Sequence, residues 1–220
     1  MELEDIVVRR YSCRRYLAKR VSPADIEAIL DLASKTPSWC NTQPWQVILL
    51  GGQPLEAFRA AMYAHASKGD PINPDFAFPI RYEGIYRDRR KVCGVQLYQA
   101  LGIGREDKAA AAEQSLENFR FFGAPHLALI TTEADLGVYG AVDCGLYVAN
   151  FMLAAGNLGV DTIAQAALAS YPDFIRGHFN LPAHRKMVCG IAFGYADADH
   201  PINAYRTARA AVADSVIRYG

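Results

Sequence analysis

The chain reads as helices packed on a sheet, an α/β or α+β protein, and three observations predict it. Short β-prone apolar runs alternate along the chain with longer stretches of helical period. Apolar residues make up 51% of the sequence, enough for a sizeable core. No internal repeat or low-complexity segment interrupts the 220 residues, so one compact domain over 1–220 is expected.

The elements follow in order. Leu3, Ile6 and Val7 recur at helical spacing and predict a short helix over about residues 2–10. Ser22-Pro23-Ala24-Asp25 is a helix start: Ser22 caps, Pro23 suits the first turn and Asp25 closes the box. Ile26, Ile29, Leu30 and Ala33 give that helix its apolar face, and it must stop before Pro37. Gln46 to Leu50, closed by Gly51-Gly52, reads as a buried strand, and residues 54–67 as a helix. Residues 69–84 hold Pro71, Pro74 and Pro79 and read as a long irregular connection, a length that points to function or mobility. Residues 85–101 and 105–121 read as helices broken at Gly102-Ile103-Gly104. His126 to Thr132 is a second apolar strand, residues 139–158 a long buried helix, and Met187 to Phe193 a further strand. From about residue 212 the tail is expected to be extended.

Bulk properties exclude several classes. The formal net charge is zero, which argues against a nucleic-acid binder and is compatible with self-association. The five cysteines are scattered without C-x-x-C spacing, so reduced thiols in a cytoplasmic protein are expected. Met-Glu-Leu-Glu-Asp does not read as a signal peptide, and no stretch approaches the roughly 20 apolar residues of a membrane span. The five histidines show no metal spacing, and Asp143 and Asp161 are expected to bond locally. Hydrolase, zincin, Walker A and dinucleotide fingerprints do not occur.

Two motifs carry chemistry. Arg10-Tyr11-Ser12-Cys13-Arg14 places a hydroxyl between two guanidiniums, inside a run from Arg9 to Arg20 that contains no acid. The planar guanidinium fork suits phosphate. A solvated basic face balanced by Glu2, Glu4, Asp5 and Asp25 is the plainer reading of the same run, and a nucleic-acid patch is another. Pro37-Ser38-Trp39-Cys40-Asn41-Thr42-Gln43-Pro44-Trp45 is a proline-fixed polar loop with flat aromatic surface, suited to the edge of a planar ring. A capped helix end that leads into a strand burying Trp45 accounts for part of it.

Arg-x-Ser-x-Arg, a capped helix, then Pro-Ser-x-x-Asn-x-Gln-Pro-Trp before a strand resembles the FMN-dependent nitroreductase superfamily. The likeness continues through Asn118 to Pro125 before the second strand, Ala154 to Tyr171, Gly190 to Tyr195, and Asn203 to Arg209. Trp39 to Thr42 and Ala164 to Leu168 look most like the nitrobenzoate reductase subgroup.

The resemblance implies an α+β three-layer sandwich, a central mainly antiparallel sheet flanked by helices, with a tail strand exchanged in a homodimer. It implies that Arg10, Ser12 and Arg14 hold the FMN phosphate and ribityl chain, with Tyr11 beside them, and that Arg206 and Arg209 add positive charge. Pro37, Ser38, Trp39 and Asn41 would contact flavin bound mainly by the other subunit. Ala164, Gln165 and Ala166 would lie against the isoalloxazine through backbone, because Ala166-Ala167 replaces an acidic residue and glycine of the best-known members. One of Asn118 and Arg120 would read the pyrimidine end. The implied activity is ping-pong electron transfer from NADH or NADPH to a flat electron-poor acceptor, a nitroaromatic reduced to the hydroxylamine, with no catalytic side chain and no metal. Arg81, Tyr82, Tyr86, Arg87, Arg89 and Arg90 are candidates for binding an aromatic carboxylate. A dehalogenase, an azoline oxidase, a flavin-destroying enzyme, a non-catalytic flavin carrier and an anion-binding module are the alternatives.

Overall fold

A computed structural model describes residues 2–220; Met1, the first residue of the expected domain, lies outside the described residues. Four strands, β1 (Gln46–Gly51), β2 (His126–Glu133), β3 (Asp161–Gln165) and β4 (Arg185–Gly194), form one sheet in the order β1-β2-β4-β3, every pair antiparallel. The helices are α1 (Leu3–Arg9), α2 (Pro23–Ser34), α3 (Gly52–Ala66), α4 (Gly84–Ala100), α5 (Lys108–Leu116), α6 (Gly137–Asn157) and α7 (Pro172–Phe179).

The sheet separates two apolar layers. Alternation along β2 sends Ala128 and Ile130 toward α2 and α6, where they meet Ile29, Ala33, Tyr147 and Phe151. Leu127 and Leu129 point the other way, toward Leu55, Phe58 and Met62 of α3 and Ile175 of α7. Burial on both faces is why β2 reads as an uninterrupted apolar run. Ser22 accepts from the Asp25 N–H at 3.1 Å and Pro23 opens α2, as the local sequence dictates.

Four features depart from the sequence expectation. β3 and α7 were not expected: β3 has five residues and α7 eight, too short for periodicity to stand out. The helix over 105–121 ends at Leu116 and gives way to 3₁₀ turns over Glu117–Gly123. There Phe121 and Phe122 take φ of 56° and 53°, which lets two consecutive rings be buried. The tail forms no strand within one chain; it is irregular apart from a 3₁₀ turn at Val212–Asp214. Residues 134–157 do reach the length and mean hydropathy, 1.3, of a membrane span. Valines and leucines supply that mean, and 44% of the most apolar 18-residue window is buried in the fold, where the helix forms the layer across the sheet.

His126 begins β2 with 7% exposure, accepts from the Val21 N–H through Nε2 at 3.1 Å and stacks on Phe193. Burial, then the charge of Arg20, lowers its pKa below the ordinary 6.5. Its contribution to stability is therefore complete above pH 6.5 and is lost as pH falls through the folded value. His126→Gln keeps an acceptor and removes the titration, so the urea stability of this variant is expected to fall less than that of the wild type on acidification from about pH 7 to 5. Equal acid slopes would contradict the assignment.

Candidate functional site

The N-terminal basic motif is fastened along the outer edge of β3. Ser12 bridges Thr162 in parallel, and the Cys13 N–H donates to the Thr162 carbonyl at 3.1 Å. Tyr16 bridges Ala196, its hydroxyl donates to the Ala192 carbonyl at 3.0 Å, and Leu17 N–H reaches the Tyr195 carbonyl at 2.9 Å. Strand alternation then turns the N–H and C=O of Ala164, two residues past Thr162, to the same open edge.

The C-terminal segment meets this arm through Asn203, which is 4% exposed. Its Oδ1 accepts from the Arg14 N–H at 2.9 Å, and its Nδ2 donates to the carbonyls of Arg15 and Asp197 at 2.8 and 2.9 Å. Arg206 donates to the Asn203 carbonyl at 2.7 Å and lies 3.7 Å over the Tyr11 ring. Arg14 donates to the Ser12 carbonyl at 3.1 Å, and Arg209 is turned by the Thr207 hydroxyl at 2.9 Å.

These bonds bring Arg10, Ser12, Arg14, Arg206 and Arg209 to the wall of one cavity of about 440 Å³, which no carboxylate lines. Among the described residues none of the four guanidiniums makes an ion pair. Burial, then the proximity of Arg209, lowers the pKa of Arg10. A neighbouring cavity of about 350 Å³ shares Arg10, Tyr11 and Arg206 and adds Asp161 and Thr162. Burial raises the pKa of Asp161, opposed by the Ala196 N–H at 3.0 Å and by the charges of Arg206 and Arg9. Asp161 thus bonds 35 residues away, and Asp143 likewise accepts from the Trp39 N–H at 3.1 Å, where local bonding was expected.

Farther along β3 the surface flattens. Ala164 and Ala166 are exposed while Ile163 and Gln165 point inward, leaving a floor of small side chains. The 3₁₀ turn Ala166–Ser170 lies close on β4 because Gly190 has no side chain; a Cβ there would sit 2.4 Å from Leu168 Cδ1. Gln165 Nε2 donates to the Asn118 carbonyl at 2.9 Å, and its Oε1 is buried with no partner among the described residues. Asn118 is therefore joined to the floor. The Arg120 guanidinium instead meets Glu117 and Glu113 at 2.6 and 2.7 Å and lies over Tyr63 at 3.7 Å.

The loop Pro37–Trp45 lines neither cavity. It lies over the start of α6, with Trp39 edge-on to Tyr139 and Trp45 stacked on Tyr147. Ser38 Oγ accepts from the Gln43 N–H at 2.9 Å. Cys40, Asn41 and Gln43 hold φ of 51°, 56° and 46°, a concentration of backbone strain of the kind found at functional loops. Arg81 pairs with Glu83, Arg87 with Asp88, and Arg90 lies over Tyr82, all on exposed surface. Sequence reasoning gave no role to Asn203, to Asp161 or to Tyr205, which lines the 440 Å³ cavity under Arg14; the order of the tail segment hinted at Asn203 and Tyr205, and nothing local at Asp161.

A family model described as "Nitroreductase family" matches residues 7–195. The chain is similar to Nitroreductase NfnB of Mycolicibacterium smegmatis, 32% identical over 216 residues that cover 96% of this chain and 90% of that protein. It is similar to 4-nitrobenzoate reductase of Pseudomonas putida, 32% identical over 208 residues covering 94% and 91%. Among solved structures, the FMN-dependent nitroreductase NfnB from Mycobacterium smegmatis in complex with NADPH superposes with a TM-score of 0.92 at 32% identity, over 99% of this chain and 97% of that one. The FMN and NADPH-dependent nitroreductase NfnB from sphigopyxis sp. strain HMH superposes with a TM-score of 0.96 at 27% identity, over 100% of both.

Proposed function

The chain belongs to the nitroreductase family, and from that premise we propose that residues 1–220 form one FMN-binding domain, working as a cytoplasmic homodimer. The protein is an FMN-dependent oxidoreductase that uses NAD(P)H to reduce a flat electron-poor acceptor, a nitroaromatic. The observation that carries the reading is the cavity lined by Ser12 and four guanidiniums that make no ion pair among the described residues. Their donors match a phosphate dianion, and the flat floor of Ala164 and Ala166 matches the face of a planar heterocycle.

When bound, FMN would supply the two-electron redox chemistry that links NAD(P)H to the acceptor in a ping-pong exchange at one site. The protein binds and orients. Arg10, Ser12 and Arg14 hold the phosphate and the start of the ribityl chain, Tyr11 stacks under Arg206, and Arg206 and Arg209 complete the positive wall. Ala164, Gln165 and Ala166 present backbone to the ring, and Asn118, tied to Gln165, serves the pyrimidine end. Arg120 is held by its two glutamates. Fixed cations and N–H groups favour negative charge without reorganisation. No side chain acts as nucleophile, acid or base.

Pro37, Ser38, Trp39 and Asn41 serve the flavin of the second copy. Support for the dimer comes from α6, where Val138, Tyr139, Val142 and Leu146 form an exposed apolar stripe beside exposed Trp39. The irregular tail is free to pair with the sheet of the other copy. Five free cysteines suit the cytoplasm.

Nitro reduction to the hydroxylamine takes four electrons, so anaerobic turnover of 4-nitrobenzoate is expected to oxidise two NADPH per hydroxylamine formed, with one water released. NADPH oxidation without a reduced nitrogen product would sink the assignment. Leu146→Asp, on the exposed stripe, is expected to yield monomers in sedimentation that retain less FMN. A dimeric, fully loaded variant would refute the shared site.

A further inference from the structure

The connection from Ser67 to Glu83 is irregular, yet it is fastened at Asp75, whose side chain is 5% exposed. Asp75 pairs with Arg176 Nη1 at 2.6 Å, accepts from the Met187 N–H at 2.8 Å and lies 3.4 Å from Lys186 Nζ. The sheet explains the position. β3 ends at Gln165, opposite Gly190, so β4 runs on to Arg185 without a strand on that side. The ion pair fills the gap: the carboxylate takes the Met187 N–H and the guanidinium donates to the Arg185 carbonyl at 3.1 Å. Two residues earlier the Asn73 N–H donates to the Ser170 carbonyl at 3.0 Å, and the Asn73 amide bonds the Asp173 carboxylate. Phe78 then packs on the core. Beyond it Ile80 is fully exposed and no residue of α4 is buried. Asp75 is therefore the last buried ionic anchor among the described residues before Arg81, Tyr82, Tyr86 and Arg87.

We infer that Asp75 is a positioning residue for the electron acceptor: bonded to Arg176 and the Met187 backbone, it fixes residues 73–78 against the Ala166–Ser170 turn and so sets the point from which the segment carrying Arg81, Tyr82, Tyr86 and Arg87, which we assign to the acceptor, departs from the core. The inference rests on the flavin-site reading above. Nitroarenes are small and depend on the walls around them, whereas NADPH carries a phosphorylated adenosine end that offers further contacts of its own. Loss of the anchor acts on one substrate more than the other.

The test uses the full-length FMN-loaded enzyme. In ping-pong kinetics kcat/KM for each substrate reports its own half-reaction. Asp75→Asn keeps an acceptor for Met187 but removes the charge facing Arg176 and Lys186. It is expected to lower kcat/KM for 4-nitrobenzoate by about tenfold, leave that for NADPH within about twofold, and leave FMN content unchanged. Asp75→Glu is expected to recover part of the loss. If Asp75→Asn does not fold, Asn73→Ala, at an exposed position, is expected to show the same split at about threefold. Equal losses for both substrates, or no loss for either, overturn the inference as a merely structural role. A wild-type protein that binds no flavin, or leaves the nitro group intact, overturns the underlying reading and this one with it.

Discussion

Asn203 is the joint on which the site depends. Through one side chain it holds the Arg14 N–H and the carbonyls of Arg15 and Asp197, crossing 189 residues of sequence. Its carbonyl orients Arg206 as well. Four cations gathered round one cavity repel each other, and neither the arm before α2 nor the tail after β4 is a helix or strand that would hold them there. Backbone bonds to a buried amide supply the rigidity those segments lack. Burial makes the arrangement costly to break, because each released group would lose its partner away from water.

The open edges of the sheet give the site its remaining parts. β3 is short, so its outer edge is used by Ser12 and, past it, by the exposed backbone of Ala164. Where β3 stops, β4 is left uncovered and the Asp75–Arg176 pair takes the place of a strand. The alanine floor, the cavity lined by arginines and the loop fastened by Asp75 are thus all arranged about the ends of one five-residue strand. Backbone strain falls nearby in two places, at Cys40–Gln43 and at Phe121–Phe122. The first belongs to the loop that lies over the start of α6, with Trp39 against Tyr139 and Trp45 against Tyr147.

Much of this was legible in the sequence because it rests on local rules. The Ser22–Pro23–Asp25 start, the apolar run of β2 and the long α6 follow from capping and burial alone. The Arg-x-Ser-x-Arg and Pro37–Trp45 motifs are contiguous, so their chemistry can be read before their place is known. β3 was not legible, since Asp161–Gln165 has neither length nor period and becomes a strand by pairing with β4. The roles of Asn203 and Asp75 are long-range and leave no pattern. Arg120 shows the converse: as a cation near the site it looks like a ligand residue, and only the geometry of Glu113, Glu117 and Tyr63 reveals its engagement.

The most direct test of the central claim, that four preorganised cations grip a phosphate, is titration of the apoprotein with FMN and with riboflavin, followed by flavin fluorescence. The two ligands share the ring and differ in the phosphate. The account predicts that FMN binds at least about 100-fold more tightly, roughly 2.7 kcal/mol, and that the difference narrows as salt rises. Equal affinities would contradict it.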